Sequence, residues 1–124
     1  MNAAYDLEQR LLEYSARIIR LVERLPNSRA GNHVAGQLLR SGTSPLPNHG
    51  EAQAAESAND FMHKLKICLK ELKETHIALQ IVSRKSLVED FKVVDKSINE
   101  CKELISIFVK SIETAKENNK NTPA

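Results

Sequence analysis

With 124 residues, this chain is of single-domain length, and its 41% apolar content is enough to bury one core without disulfides or a metal. Only 4% of the residues are aromatic and tryptophan is absent, which disfavours a β-sandwich and favours a helical protein. The formal net charge of +2 is too small to indicate nucleic-acid binding by itself, so that function depends on where the basic residues lie.

The two cysteines, Cys68 and Cys101, lie within periodic apolar patterns, which predicts buried and reduced thiols. The N-terminal residues lack the basic region and apolar run of a signal peptide. No apolar stretch approaches the roughly 20 residues that a bilayer span requires. We therefore expect a cytoplasmic protein with no membrane partner.

The first predicted helix runs from about Ala4 to Arg24, and Pro26 stops it because the residue before a proline disfavours the α conformation. Its apolar residues step by four and three positions, which keeps them on one face. This core face comprises Leu7, Leu11, Tyr14, Ile18, Leu21 and Leu25.

A basic flank borders the core face of the first helix. One interpretation is a solvated flank whose arginine stems cover the edge of the core. The other is a basic ridge that contacts the phosphates of RNA or DNA, or acidic residues of a partner. The flank comprises Arg10, Arg17, Arg20 and Arg24.

The second predicted helix begins near residues 28–30, and its four-three spacing continues through Pro45 and Pro47. Each proline removes a backbone hydrogen bond, so we expect a kink near residues 42–44, although a broken helix is the competing interpretation. The carbonyls that the prolines free are candidate partners for the inward polar residues. The inward face comprises Val34, Leu38, Ser41, Pro45, Asn48, Ala52 and Ala55.

Two capping boxes introduce the last two helices. Ser57-Ala-Asn-Asp60 places a hydroxyl at the N-cap of the third helix, and Ser86-Leu-Val-Glu89 does the same for the fourth. The core face of the third helix is Phe61, Leu65, Cys68, Leu72, Thr75, Leu79 and Val82. That of the fourth is Phe91, Val94, Ile98, Cys101, Ile105, Phe108, Ile112 and Ala115.

Four amphipathic helices with short connections predict an all-α, up-down-up-down antiparallel four-helix bundle. Its second helix is kinked near residues 44–47. Residues 1–117 form the bundle, and the polar residues 118–124 form a flexible C-terminal tail.

The outer side of the third helix carries three lysines and two isoleucines. The lysines are candidate nucleic-acid contacts together with the arginines of the first helix. The isoleucines, with two apolar residues outside the core stripe of the first helix, indicate an oligomer interface. The lysines are Lys66, Lys70 and Lys73, and the apolar residues are Leu12, Ile19, Ile77 and Ile81.

No pattern of side chains predicts catalysis or a cofactor. A di-metal carboxylate bundle needs two Glu-x-x-His motifs, and only Asp60-x-x-His63 resembles half of one. The four histidines show no zinc-ligand spacing, and neither a nucleophile elbow nor a glycine-rich phosphate loop is present. We expect a non-enzymatic protein without metal, cofactor or small-molecule substrate.

A dense set of polar residues surrounds the predicted kink. One interpretation is a buried structural network in which Arg40 pairs with Glu51, or with Glu71 or Glu74 of the third helix. The other is a small polar pocket at the bend. The set comprises Arg40, Ser41, Ser44, Asn48, Glu51, Glu71 and Glu74.

Several of these segments resemble a known family. They are Gln37-Leu-Leu-Arg-Ser-Gly-Thr-Ser44, Asn48-x-x-Glu-Ala-Gln53, Ala55-Glu-Ser57, Asp60-Phe-Met-His-Lys-Leu65, Leu69-Lys-Glu71, Glu74-Thr75 and Ser111-Ile-x-Thr-Ala-Lys116. Together they resemble the bacterial four-helix-bundle family often labelled the ribosomal-RNA intervening-sequence protein family. At the bend, Ser44-Pro-Leu-Pro-Asn48 departs from the Ser-Ile-Gly-Ala-Asn or Ser-Ile-Pro-Ala-Asn usual in that family.

The resemblance implies an up-down bundle that often assembles into a ring, commonly a pentamer. It also implies kinship with the accessory protein of diversity-generating retroelements, a basic barrel that binds nucleic acid and a reverse transcriptase. No catalytic residues come with it. Our first hypothesis is a homo-oligomeric bundle that binds RNA, DNA or a nucleic-acid-processing protein. The alternative is a protein-protein interaction or structural module without nucleic-acid binding.

Overall fold

The computed structural model describes the backbone of residues 3–120 and the side chains of residues 6–120. Five helical segments account for most of this part of the chain. They are α1 (Ala3–Val22), α2 (Arg29–Thr43), α3 (Pro45–Gln53), α4 (Ala58–Arg84) and α5 (Phe91–Lys120).

The segments form a four-helix bundle because α2 and α3 are the two halves of one bent helix. α1 packs against this bent helix and α5, and α4 packs against the same two neighbours. Among the described residues, no Cα atom of α1 lies within 8 Å of one of α4, so these two helices occupy diagonal corners of the bundle. The predicted all-α antiparallel bundle is confirmed.

The bend lies at Ser44, whose φ of −69° and ψ of −37° remain helical. Pro45 and Pro47 lack the N–H groups that would continue the hydrogen-bond ladder, so the helix kinks there without breaking. The Asn48 side chain secures the turn, because its Nδ2 donates to the carbonyl oxygen and the hydroxyl of Ser44, each at 3.0 Å. The kinked interpretation is therefore the correct one.

One inward position of the bent helix was predicted wrongly. Asn48 is only half-buried, and its amide bonds to Ser44 rather than to a carbonyl that the prolines free. The neighbouring His49 takes the interior place and is 2% exposed. Residues 45, 48 and 52 and residues 45, 49 and 52 both follow helical spacing, so periodicity did not separate the two.

The connection between α1 and α2 is tight. The Ser28 hydroxyl caps α2 by accepting a hydrogen bond from the Gly31 N–H at 3.0 Å. A β-carbon at Gly31 would lie 2.0 Å from the carbonyl oxygen of Pro26, so only glycine fits at this position. α1 itself ends at Val22, two residues before the predicted boundary.

The Ser57 cap of α4 is confirmed, because its hydroxyl accepts from the Asp60 N–H at 3.0 Å. The second predicted capping box is wrong. Ser86 has a φ of 52° and ends α4 in a Schellman motif, in which the Leu87 N–H donates to the Val82 carbonyl at 3.1 Å. α5 begins four residues later, after Asp90, whose carboxylate accepts from the Lys92 N–H at 3.1 Å.

The predicted apolar seams are buried or partly buried, with one exception. Phe91, the first residue of α5, is 65% exposed, whereas Val88 of the preceding loop is 6% exposed and belongs to the core. The core is wider than the predicted seams, as expected for a globular bundle, and also contains Met62, Ala78 and Leu104. Within residues 3–120, no helix has the length and apolar content needed to cross a bilayer.

The C-terminal helix is longer than expected. α5 continues to Lys120, past the predicted boundary of the bundle at residue 117. The remainder of the predicted tail, residues 121–124, lies outside the described residues.

Replacing Ser86 with glycine should stabilise the fold. A left-handed backbone costs a residue with a β-carbon roughly 1 kcal/mol, which glycine avoids, so Ser86→Gly should raise the free energy of unfolding by up to about 1 kcal/mol. Urea unfolding followed by circular dichroism measures the change. Ser83→Gly, one turn earlier in α4, is the matched control and should lower it by about 0.5 kcal/mol. Equal destabilisation by both variants would contradict this role of Ser86.

Candidate functional site

Arg40 of α2 forms a surface ion-pair cluster with α4. Its Nη1 lies 3.3 Å from Glu71 Oε2, and its Nη2 lies 3.1 Å from Glu74 Oε2. The carboxylates of Glu74 and Glu71 raise the pKa of the guanidinium. Glu51 takes no part, because its carboxylate pairs with Lys64 at 2.9 Å. The cluster is largely exposed, so it orients the two helices more than it stabilises them.

A buried hydroxyl pair joins the same two helices behind the ion pairs. Thr75 Oγ1 lies 2.8 Å from Ser41 Oγ, and both side chains are at most 1% exposed. Ser41 Oγ also reaches the Gln37 carbonyl at 2.8 Å, and Thr75 Oγ1 reaches the Glu71 carbonyl at 2.9 Å. Each hydroxyl has one proton, so one donates to the other and the second donates to its own helix.

The predicted polar set is therefore divided into separate contacts. The ion pairs of Arg40, the Ser41 hydroxyl, the Ser44–Asn48 contact and the Glu51–Lys64 pair do not form one network. A surface groove of about 330 Å³ runs past Arg40 and Ser41, and Ile77 and Ile81 also line it. The side chains of this set bond to one another, to Lys64 and Thr75 of α4, and to the helix backbone, which is the arrangement of a structural contact.

The cysteines are buried and unpaired, as predicted. The Cys101 thiol donates to the Leu72 carbonyl at 3.2 Å, and burial raises its pKa to about 11. The Cys68 thiol contacts the Pro45 carbonyl at 3.5 Å, and burial raises its pKa to about 12. Both thiols are protonated at neutral pH and are poor nucleophiles. Among residues 3–120, no three His, Cys, Asp or Glu side chains converge as metal ligands would.

The arginines of α1 mostly contact acidic residues of the protein itself. Arg10 Nη2 lies 2.9 Å from both Glu100 and Glu103, which fastens α1 to α5. Two weaker pairs follow along the helix, Arg20 with Glu13 at 3.7 Å and Arg24 with Asp90 at 3.6 Å. Within the described residues only Arg17 of this flank forms no ion pair. The basic ridge is largely neutralised by these acids.

The lysines of α4 differ from these arginines. Lys66, Lys70 and Lys73 are exposed, and none of them has an acidic partner in the part of the chain that the structure describes. A shallow depression of about 410 Å³ runs beside them and is also lined by Leu69, Glu74 and Ile77. This face is the part of the candidate site where cationic groups remain available to an anionic ligand.

The predicted interface residues are all solvent-exposed in the single chain. Leu12 and Ile19 of α1 are 50% and 42% exposed, and Ile77 and Ile81 of α4 are 59% and 44% exposed. Leu39 of α2 is 41% exposed and Val109 of α5 is 37% exposed, and we did not predict either. Each directly follows a core residue, so the periodic pattern gave no separate signal for them.

A cleft of about 420 Å³ lies at the end of the bundle where α3 stops. Leu7, Phe61 and Leu65 form part of its wall, and the buried His49 lies behind it. The His49 ring meets Phe108 edge-on at 6.2 Å, and its Nδ1 has no hydrogen-bond partner among the described residues. Burial lowers the pKa of His49, against a smaller opposing effect of the Glu8 carboxylate.

The burial of His49 predicts loss of stability in mild acid. Below about pH 6.5, the ordinary histidine pKa, the unfolded chain binds a proton that the folded chain does not. The free energy of unfolding should therefore decrease as the pH falls from 7.5 to 5.5. Urea unfolding across this range should show a shallower decrease for His49→Gln than for the wild type. His33→Gln, at an exposed position, should keep the wild-type slope, and identical slopes for both variants would contradict the prediction.

The buried hydroxyl pair should show coupling in a double-mutant cycle. Thr75→Val and Ser41→Ala should each cost about 1 kcal/mol, because each leaves one buried hydroxyl without its partner across the interface. The double variant strands no hydroxyl and should cost less than the sum of the two. Denaturant unfolding measures all four proteins. Strict additivity would show that the hydroxyls do not interact.

The comparisons with known proteins agree with this architecture. The family model of the 23S rRNA-intervening sequence protein matches residues 4–110. A solved structure from Bacteroides thetaiotaomicron, a protein of unknown function from the S23 ribosomal protein family, is 32% identical in sequence with a TM-score of 0.77. The alignment covers 85% of this chain and 96% of that one. No match was found among curated proteins. The chain belongs to the 23S rRNA-intervening sequence protein family.

Proposed function

We propose that this protein is a non-enzymatic, homo-oligomeric helical bundle that binds the phosphate backbone of RNA or DNA. The observation that carries the proposal is the lysine row of α4, defined as Lys66, Lys70 and Lys73. These three cations are exposed and have no acidic partner among the described residues.

The geometry of the lysine row suits a phosphate backbone. Positions 66, 70 and 73 lie on one side of α4, and the helical rise separates Lys66 from Lys70 and Lys73 by about 6 and 10 Å along the axis. Lysines so placed can contact successive phosphates and release bound counterions, which is the main source of sequence-independent affinity. Mixed acidic and basic surfaces elsewhere explain how a chain of net charge +2 carries such a face.

The arginines of α1 have a secondary part in this proposal. A phosphate that approaches Arg10 must compete with two carboxylates already 2.9 Å from the guanidinium. Arg20 and Arg24 each have one carboxylate nearby, at 3.7 and 3.6 Å, and these exposed pairs are weak. Arg17, the one arginine of the flank without an ion pair among the described residues, lies on α1, at the corner of the bundle diagonal to the lysine row.

Homo-oligomerisation supports nucleic-acid binding because it repeats the lysine row once in each protomer. One protomer contributes three lysines in a row, which is a weak site. A ring, for which we propose a pentamer, presents several such rows to one strand and gains affinity through avidity. The exposed Leu12, Ile19, Ile77 and Ile81 support self-association, because apolar side chains of this exposure gain from burial. A cytoplasmic location fits the two unpaired cysteines.

The second candidate function is a protein-interaction module without nucleic-acid affinity. The same exposed apolar side chains favour it, since they fit another protein surface regardless of any nucleic acid. The two candidates differ in one measurable property. The lysine row matters for the first and is irrelevant to the second.

Binding to a 20-nucleotide single-stranded RNA, followed by fluorescence anisotropy at several salt concentrations, tests the proposal. Lys66→Glu combined with Lys70→Glu should weaken binding about tenfold or more. The same change should reduce the slope of log K against log salt by about 1.4, since each single-strand phosphate contact contributes about 0.7. The same sequence as DNA and as a duplex identifies the preferred backbone.

The matched control is Lys102→Glu combined with Lys110→Glu, which makes the same charge change on exposed positions of α5. It should weaken binding far less. Equal losses of RNA affinity in both variants would show that binding depends on the net charge and not on the lysine row. No binding by the wild type at low salt would reject the proposal and favour the protein-interaction module.

A further inference from the structure

The outer side of α1 carries two exposed apolar residues between two acids. Leu12 and Ile19 are 50% and 42% exposed. At 100° per residue, Glu8 and Glu23 fall within about 60° of arc with them. Glu23 directly follows α1, and its N–H still donates to the Ile19 carbonyl at 3.1 Å, so it continues the helical turn. We call Glu8, Leu12, Ile19 and Glu23 the α1 stripe.

The outer side of α4 carries the same arrangement with the opposite charge. Ile77 and Ile81 are 59% and 44% exposed. Lys73 precedes them and Arg84 follows them, within about 80° of arc on the helix. We call Lys73, Ile77, Ile81 and Arg84 the α4 stripe. The other two members of the lysine row, Lys66 and Lys70, lie beyond its N-terminal end.

The charged ends of both stripes are available for intermolecular contact. Glu8, Glu23, Lys73 and Arg84 are all exposed, and none forms an ion pair in the described part of the chain. Most acidic neighbours of the α1 arginines, by contrast, lie on the α5 side. The charges at the ends of the stripes are therefore not needed to hold the monomer together.

We infer that the α1 stripe of one protomer docks against the α4 stripe of the next, a contact that specifies the homo-oligomer of the proposed function. Acids then meet cations at both ends of the contact. Between the two ends, the four apolar side chains pack against one another and are removed from water. The helical rise gives lengths of about 22 Å from Glu8 to Glu23 and about 16 Å from Lys73 to Arg84, a difference that the long cationic side chains can span.

Charge selects this pairing over the two symmetric ones. If two α4 stripes met, lysine and arginine would face cations at both ends. If two α1 stripes met, four glutamates would approach one another. Like charges across an interface disfavour the wrong partner, and opposite charges fix the register. The second copy of this chain is the occupant that the stripes fit.

The position of the stripes determines the kind of assembly. α1 and α4 occupy diagonal corners of the bundle, so each protomer uses two different surfaces on opposite sides. Such a heterologous contact does not end at a dimer, and it continues until the rotation between protomers closes a ring. The contact uses Lys73 of the lysine row, and Lys66 and Lys70 of every protomer remain for phosphates.

Two substitutions test the pairing of the stripes. The oligomeric state is measured in buffer free of nucleic acid, by size-exclusion chromatography with light scattering. Leu12→Glu adds an acid to the α1 stripe, and Ile77→Glu removes an apolar contact from the α4 stripe; both positions are at least half exposed. Each variant alone should be monomeric at about 50 µM, while the wild type is oligomeric. Val109→Glu on α5, outside both stripes, should assemble like the wild type.

Mixing the two variants gives the decisive result. The intact α4 stripe of Leu12→Glu can dock on the intact α1 stripe of Ile77→Glu, and the remaining stripes are blocked. The mixture should therefore form a 1:1 dimer and nothing larger. Assembly of either variant alone at wild-type size, or a mixture that stays monomeric, would overturn the proposed contact.

A charge exchange provides a second test if Leu12→Glu or Ile77→Glu loses the circular-dichroism signal of a folded helical protein. Glu8→Lys with Glu23→Lys, and separately Lys73→Glu with Arg84→Glu, change exposed side chains only. Each pair should prevent assembly, and all four changes in one chain should restore it. Failure of the fourfold variant to assemble would also overturn the contact.

The outcomes separate this contact from the proposed function. A wild type that is oligomeric and binds RNA, with variants that still assemble, rejects the contact alone. A wild type that assembles through the stripes and binds no RNA rejects nucleic-acid binding alone. A monomeric wild type at this concentration rejects the contact and the homo-oligomer together.

Discussion

The bend at Pro45 and Pro47 is the constraint on which most of this structure depends. Two missing N–H groups turn the second helix of the bundle without breaking it, because Ser44 keeps helical torsion angles and Asn48 bonds back to it. The half before the bend then packs along α4, where the hydroxyls of Ser41 and Thr75 meet at 2.8 Å. The half after it directs His49 into the core and leaves a cleft at the end of the bundle.

Charge is distributed so that the two sides of the bundle have different uses. On the α1 side, Arg10 is held by Glu100 and Glu103 and serves the packing of α1 against α5. On the outer side of α4, Lys66 and Lys70 have no such partners among residues 6–120. A cation already bound by carboxylates adds little to the field that an approaching phosphate meets. The available basic surface is therefore narrower than the number of arginines and lysines suggests.

The similarity to known proteins supports the fold but does not identify the function, which must be argued from residues on the surface. The solved relative from the S23 ribosomal protein family shares 32% of its residues over 85% of this chain, and its function is unknown. A helical bundle is compatible with many activities, so function must be argued from particular side chains. Here those side chains are the lysine row and the two charged apolar stripes, all on the outside of the bundle.

Much of the architecture follows from local sequence patterns. The four-three spacing of apolar residues placed Leu11, Tyr14 and Ile18 on one buried face, and the Ser57 motif located the start of α4. The exposed Ile77 and Ile81 were also evident, since they lie off the core stripe. These features depend on residues within one or two turns of one another, and a helix has the same period whatever packs against it.

The tertiary structure decided what depends on distant neighbours or on one backbone angle. Arg10 is neutralised by residues 90 and 93 positions away, which no local pattern can indicate. His49 rather than Asn48 is buried because the bend sets the rotation of α3, and Phe91 at the start of α5 is exposed whereas Val88 of the preceding loop is buried. Ser86 carries the sequence of an N-cap, yet its left-handed conformation ends the preceding helix. By itself the sequence determined which helices form and which faces they bury. Only the packing of the helices decided which charged side chains remain unpaired, because an ion pair depends on the distance between two side chains in space and not on their separation in the sequence.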